Sequence, residues 1–239
     1  MPRRRFWLAA GLTALTALLA LPAVAWLRVA VDDEKPSRSI GRVGAGRLDH
    51  GHVLPPWGVG YRSYSFLGAA IGRQYLHGRV RDTLVESFAE GARRHPELIY
   101  VVGETAVRRG GRLHGHRTHQ NGLSVDLFMP VRDHRDRVTP LPTWPWQGLG
   151  YWHEFDAEGR SSAYRIDFAA LTELLLILRE RAAAHGLGIE RVIIAPEYVP
   201  HVLATPAGPA LGDLAARLTR KPVWVRHDEH IHIDFAVSP

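Results

Sequence analysis

Two hydrophobic periods run through this chain. Residues 79–95, "RVRDTLVESFAEGARRH", set Val80, Leu84, Val85 and Phe88 at helical spacing, and Pro96 ends the helix they predict. "ELIYVVGE" (97–104) is a short apolar run that predicts a buried strand. Leu123, Val125 and Leu127 alternate with Ser124, Asp126 and Phe128, the period of a strand. Residues 130–165 predict a loop, with Trp144, Trp146, Tyr151, Trp152 and Phe155 in its aromatic part. "FAALTELLLILRERAAAH" predicts a long helix, with Asp167 as its N-cap and Gly186 past its end. "IERVIIA" (189–195) predicts a second buried strand, "ALGDLAARLTR" (210–220) a shorter helix, and "EHIHIDFAV" (229–237) a last strand with clean alternation. Helices mixed with short strands, without a regular βαβ series, predict an α+β fold. No internal repeat or second domain is visible.

The N-terminal pattern is different. Residues 1–25 have a basic start (Arg3, Arg4, Arg5), an apolar run and a small-residue end at Ala23-Val24-Ala25, which predicts a secretory signal peptide. The same stretch also suits an uncleaved membrane anchor. Arg28 is the sole charge from Phe6 to Val31, so residues 6–31 are apolar enough to tether the chain. Either way the following domain is exported, to the periplasm or another extracytoplasmic space. Residues 32–60 are rich in Gly, Pro, Arg and Ser, and residues 26–60 predict a linker and an irregular approach to a domain at 61–239.

Composition narrows the chemistry. The 239 residues are 46% hydrophobic and 23% charged, enough for a buried core. There is no cysteine, which excludes disulfides, thiol catalysis and cysteine-ligated metal; a metal would have to be held by His, Asp or Glu. The formal charge of +6 falls to +3 without residues 1–25. That small excess, with no recognisable module, gives no support to nucleic-acid binding and suits an anionic polymer such as the cell wall equally well.

The fourteen histidines carry the candidate chemistry. His-x-His occurs at His50/His52, His114/His116 and His230/His232, and His followed seven positions later by Asp occurs at His119/Asp126 and His227/Asp234. Such short patterns arise cheaply in a His-rich chain, so context has to separate them. His50/His52 and His114/His116 fall in glycine-flanked loops, and the first pair reads as a solvated loop. His230 and His232 lie on a predicted strand, so both rings share one face with Asp234, opposite Ile231 and Ile233. That face lines a cleft if the isoleucines enter the core, and is otherwise a solvated sheet face. His119 precedes the strand carrying Asp126, and Gly122 lets the chain turn between them. Two histidines and one aspartate with an open fourth position form a set used for catalytic zinc, which activates water. The remaining histidine of the His-x-His pair would then be free for proton transfer or oxyanion stabilisation.

"GGRLHGHRTHQNGLSVDLF" together with "VWVRHDEHIHIDF" resembles the penicillin-insensitive murein endopeptidases. That family belongs to a zinc-peptidase group with lysostaphin-type enzymes, D-Ala-D-Ala peptidases and the hedgehog domain. The likeness runs over roughly residues 79–236 and is weaker from 130 to 188. Its carriers are His116, His119, Gln120, the Gly122-Leu123-Ser124-Val125-Asp126 run, "RVIIAPEYVPHVL", His227 and His230-x-His232. The resemblance implies zinc ligands His119, Asp126 and His232, an unliganded catalytic His230, and assisting roles for His116 and His227. It implies a small central antiparallel sheet with flanking helices and the zinc site in a cleft on one sheet face. The implied substrate is peptidoglycan, at the D-Ala–diaminopimelate crosslink.

Two departures stand out. Members of the family carry cysteines in this domain, and the position of Asp234 is usually basic; a carboxylate there would support a ligand histidine or alter recognition of substrate carboxylates. The alternatives are a carboxypeptidase or amidase of the same group, or a zinc-stabilised wall-binding domain without activity. The D-Ala-D-Ala peptidases place Glu-x-x-Trp-His where this chain has His-x-His, and strand alternation puts Glu229 on the side opposite His230. The aromatic loop 144–155 is either a groove wall or local packing.

Overall fold

The computed structural model describes residues 16, 20–221, 223 and 225–237. Most of the proposed leader lies outside the described residues. A helix over residues 20–30 (α1) leads to a hairpin of β1 (Arg38–Arg42) and β2 (Ala45–Asp49). Short strands β3 (His52–Val53), β4 (Trp57–Gly58) and β5 (Tyr61–Ser63) follow, then α2 (Phe66–Ala70), β6 (Tyr75–Leu76) and α3 (Gly78–Arg94). β7 (Tyr100–Val102) and β8 (Ser124–Phe128) precede a small sheet of β9 (Val131–Asp133), β10 (Val138–Thr139) and β11 (Tyr164–Ile166). The chain closes with α4 (Phe168–Ala184), β12 (Leu187–Ile193), α5 (Val199–Leu203) and β13 (His230–Val237). No helix among the described residues is long and apolar enough to cross a membrane.

The central sheet has six strands in the order β12-β13-β8-β7-β5-β4. It is mixed, where an antiparallel sheet was expected, because β5 and β7 run parallel. The reason lies in the connection: α2, β6 and α3 separate the two strands, and a long helical crossover is what a parallel pair needs. Val125 and Leu127 of β8, Ile231, Ile233 and Phe235 of β13, Val80, Leu84 and Phe88 of α3, and Leu171, Leu174, Leu175 and Leu178 of α4 share one core. α3 and α4 pack side by side there. Asp167 caps α4 by accepting the Ala170 N–H, as the sequence predicts.

Three segments differ from their pattern. Residues 38–49, in a stretch whose composition predicts irregular chain, form the β1–β2 hairpin and brace the loop before β8. Ser39 Oγ donates to Asn121 O (2.7 Å), Gln120 N to Val43 O (3.0 Å) and Gln120 Nε2 to Gly44 O (2.9 Å). The loop at 130–165 holds three paired strands. The predicted helix at 210–220 is instead 3-10 helix over Gly208–Arg217, broken where Gly212 leaves helical geometry (φ 51°, ψ −126°).

Candidate metal centre

Alternation along β8 and β13 sends one set of side chains into the core and the other into a cleft. On the cleft face, antiparallel register sets His232 opposite Asp126 and Asp234 opposite Ser124. Directly opposed residues lie close enough for their side chains to interact. The Asp126 carboxylate and the His119, His230 and His232 rings are all buried.

His119 reaches the same point from the loop. Its backbone is left-handed (φ 67°), a conformation uncommon outside glycine. Gly122 follows at φ 76°, where an added Cβ would meet Leu48 Cδ2 at 2.7 Å and His77 N at 2.8 Å, so the turn needs glycine on both counts. His227, on the far side of the cleft, is also left-handed (φ 58°). Each such residue costs on the order of 1–3 kcal/mol and persists because its surroundings fix it. For His119 the fixing contacts are the Gln120 bonds to the hairpin; for His227 the carbonyl accepts Ala195 N–H (3.0 Å).

Asp126 Oδ1 is the centre of the cluster. His232 Nδ1 stands 2.7 Å from it and His119 Nε2 3.3 Å, with the two rings 4.7 Å apart. One donor atom each from His116, His119 and Asp126 lies within 4.8 Å of the others, so these three residues form a candidate metal group. The three residues implied as ligands, His119, Asp126 and His232, are thus together, and His116, implied only to assist, joins two of them at ligand spacing. The second nitrogen of His232 faces Asp234 Oδ1 (2.8 Å), which also accepts from Ser124 Oγ (2.6 Å), while Arg191 holds Asp234 Oδ2.

His230 lies beside this cluster. Its Nδ1 donates to Glu229 Oε1 (2.9 Å), and its ring is 4.6 Å from His227 and 5.1 Å from Tyr151. This corrects the expected placing of Glu229 on the opposite side. Strand geometry begins at His230, so alternation does not constrain the residue before it. His227 donates through Nδ1 to Val225 O (2.6 Å). His114 is exposed and outside the cluster. His50 and His52 pair with Asp33 and Asp32, away from the site.

Tyr151 was legible only as one aromatic among several. Its hydroxyl donates to Asp126 Oδ2 (3.2 Å) and accepts the Glu104 N–H (3.1 Å). Gly103 makes room for it: a Cβ there would fall 2.7 Å from the Tyr151 oxygen. The other loop aromatics divide. Trp144 and Trp146 stack at 5.3 Å on the surface, Trp152 is exposed, and Phe155 is core. Tyr151→Phe is expected to keep the fold and lower kcat by about tenfold, the size of one lost hydrogen bond. Steady-state kinetics with a thermal melt would check it; an unchanged kcat would remove Tyr151 from the site's working parts.

The electrostatics suit a cation. Burial alone would raise the Asp126 pKa, but the His119 and His232 contacts overcome it and hold the carboxyl well below its ordinary range. Burial lowers His116 and His227 to about 4, so both are neutral near pH 7. Burial would also lower His232, but its two carboxylates outweigh that and raise it to about 9. His119 Nδ1 is buried and makes no hydrogen bond among the described residues. A buried nitrogen without a partner, clustered imidazoles and one ionised carboxylate are a donor set fitted to a metal with N/O preference. The cleft around them encloses about 410 Å³, with Arg191, Tyr151 and His227 in its wall.

Asp234 is the outer support of this arrangement. Asp234→Asn is expected to weaken metal affinity by about 10- to 100-fold while the fold survives, the usual cost of losing a carboxylate behind a metal-holding histidine, the role the resemblance implies for His232. Competition with a metal chelator would measure it.

No curated protein matches the chain. The penicillin-insensitive murein endopeptidase family matches residues 39–239, which takes in the β1–β2 hairpin from its second residue, the cluster and every strand of the central sheet. Its members are metallopeptidases acting on murein, in agreement with the buried His/His/Asp group. By that match the chain belongs to the penicillin-insensitive murein endopeptidase family.

Proposed function

We propose that this chain is a zinc endopeptidase that cuts the D-Ala–diaminopimelate crosslink between peptidoglycan stem peptides outside the cytoplasm. The observation that carries this reading is the convergence of His119 and His232 on Asp126 Oδ1 in a buried cleft, with His230 close by and engaged elsewhere. His119, Asp126 and His232 would hold the metal, and His116, grouped at ligand spacing with His119 and Asp126, is near enough to add a fourth ligand. Bound zinc would polarise a peptide carbonyl and make a water molecule acidic enough to act as nucleophile near neutral pH.

The remaining roles belong to the protein's own groups. Glu229 accepts a hydrogen bond from His230 Nδ1–H, which orients the ring and favours its cationic form, leaving Nε2 for the substrate. A cationic imidazole at that point stabilises negative charge developing on the carbonyl oxygen. His227, anchored at Val225 O, and His116 border the cleft as neutral bases. Tyr151 keeps the second carboxylate oxygen of Asp126 in place.

The test is incubation of zinc-loaded protein with crosslinked muropeptides, followed by product mass spectrometry. Dimers should fall to monomers, and a chelator should stop the reaction. Loss of only a terminal D-Ala would make it a carboxypeptidase, and intact dimers under all metal conditions would defeat the proposal.

A further inference from the structure

The exposed large apolar side chains include a group with no member in the cleft wall. Trp26, Leu27, Trp57, Val59, Phe66, Leu67 and Ile71 are each 37–67% exposed. They form a continuous surface at its centre: the Trp26 ring meets Trp57 edge-on at 5.2 Å, and Trp57 meets Phe66 at 5.6 Å. The backbone beneath is firmly held. Ser65 caps α2 through Gly68 N–H (3.0 Å), and Arg28 Nε donates to Ala70 O (2.7 Å). On α1, Ala25 is buried, and Val29 packs against the cluster of Leu48, Val53, Tyr75 and Ala106. The end of α1 is therefore docked on the domain, and its outward side chains extend the patch.

The sequence indicates what covers this surface. α1 continues a run from Phe6 to Leu27 that has 22 residues and no charge, with Arg3–Arg5 before it. The part of that run ahead of the buried Ala25, Phe6 to Val24, has 19 residues, which as a helix measure about 28 Å, against a bilayer hydrocarbon core of about 30 Å. Tryptophan concentrates where such a segment leaves the membrane. Arg28, the single charge between Phe6 and Val31, borders the patch, where a lipid phosphate could meet it. A cut after Ala25 would fall inside the docked helix and remove one of its buried residues.

We propose that Phe6 to Val24, which includes the start of α1, is retained as a membrane anchor, and that Trp26, Trp57, Phe66, Leu67 and Ile71 seat the domain in the interfacial layer of the bilayer. Trp57 lies on β4, the edge strand, which is three strand spacings from β8 in the sheet. That is about 14 Å, so the seated domain keeps its cleft to one side of the contact. The enzyme would then work on wall peptides at a fixed height above the membrane.

The cysteine-free chain permits a direct test. Val59→Cys, Leu67→Cys and Ile71→Cys in the full chain each give one labelling site, with His134→Cys on the β9–β10 turn as control. The proteins are reconstituted in phosphatidylethanolamine/phosphatidylglycerol vesicles carrying a nitroxide lipid quencher. Labels at 59, 67 and 71 are expected to be quenched severalfold more than the label at 134. Adding Leu67→Ser and Ile71→Ser to the Val59→Cys protein should reduce quenching at 59 and leave muropeptide cleavage unchanged. Quenching equal to that at 134 overturns the proposal. So does label-to-label quenching without lipid quenching, which would mean that a second copy covers the patch. A mature chain isolated from its native cells with Trp26 as its first residue also overturns it.

Discussion

Replacing His119 with alanine is expected to remove bound metal and to lower kcat/KM on crosslinked muropeptides by about 10³-fold or more, at least about 4 kcal/mol of transition-state stabilisation. His119 is the residue on which two independent features meet. Its Nε2 faces Asp126 Oδ1 at 3.3 Å, and its Nδ1 is buried without a hydrogen bond among the described residues. Its backbone complicates a simple alanine test, since φ is 67° and alanine tolerates that region poorly. His119→Asn is the better companion, because asparagine accepts left-handed geometry at lower cost. Both variants should lose metal, measured by elemental analysis, and the Asn variant should melt closer to wild type. Full metal content and activity in the Asn variant would remove His119 from the ligand set.

His230→Ala is expected to behave differently. Metal content should stay near wild type while kcat falls by about 10²- to 10⁴-fold, the range for losing a positioned acid–base group. The basis is the pairing of its Nδ1 with Glu229, outside the Asp126 cluster. Elemental analysis and single-turnover kinetics on the same sample separate the two roles. Metal lost together with activity would make His230 a ligand. The contrast between the two variants, one losing metal and the other keeping it, distinguishes holding the ion from acting beside it.

The family match corrects one earlier alternative: a wall-binding domain without activity does not fit membership of a murein endopeptidase family. The sequence departure at Asp234 also finds a physical setting. The carboxylate lies between His232, Ser124 and Arg191, so its negative charge is shared by three partners.

Much of the site was readable in sequence because local rules decide it. Period-2 alternation in "SVDLF" and "HIHIDF" determined that Asp126 leaves the core with Ser124, and that His230, His232 and Asp234 share a face, and the structure has them so. The Asp167 cap and the positive φ of Gly122 were fixed by short-range geometry in the same way, although Leu48 and His77 also crowd Gly122. Other features depend on contacts between distant segments, which no local period encodes. The His232–Asp126 pairing follows from β13 lying beside β8 in one register. The left-handed turn at His119 is held by a hairpin some seventy residues earlier, in a stretch whose glycines and arginines suggested no structure. Glu229 joins His230 because the strand starts one residue later than alternation alone would place it. Tyr151 reaches Asp126 from a loop whose sequence shows only that it is aromatic. The sequence by itself therefore determined which side chains each strand presents to the cleft. Tertiary packing decided which of them meet, because strand order, register and loop bracing are set by long-range burial and hydrogen bonding.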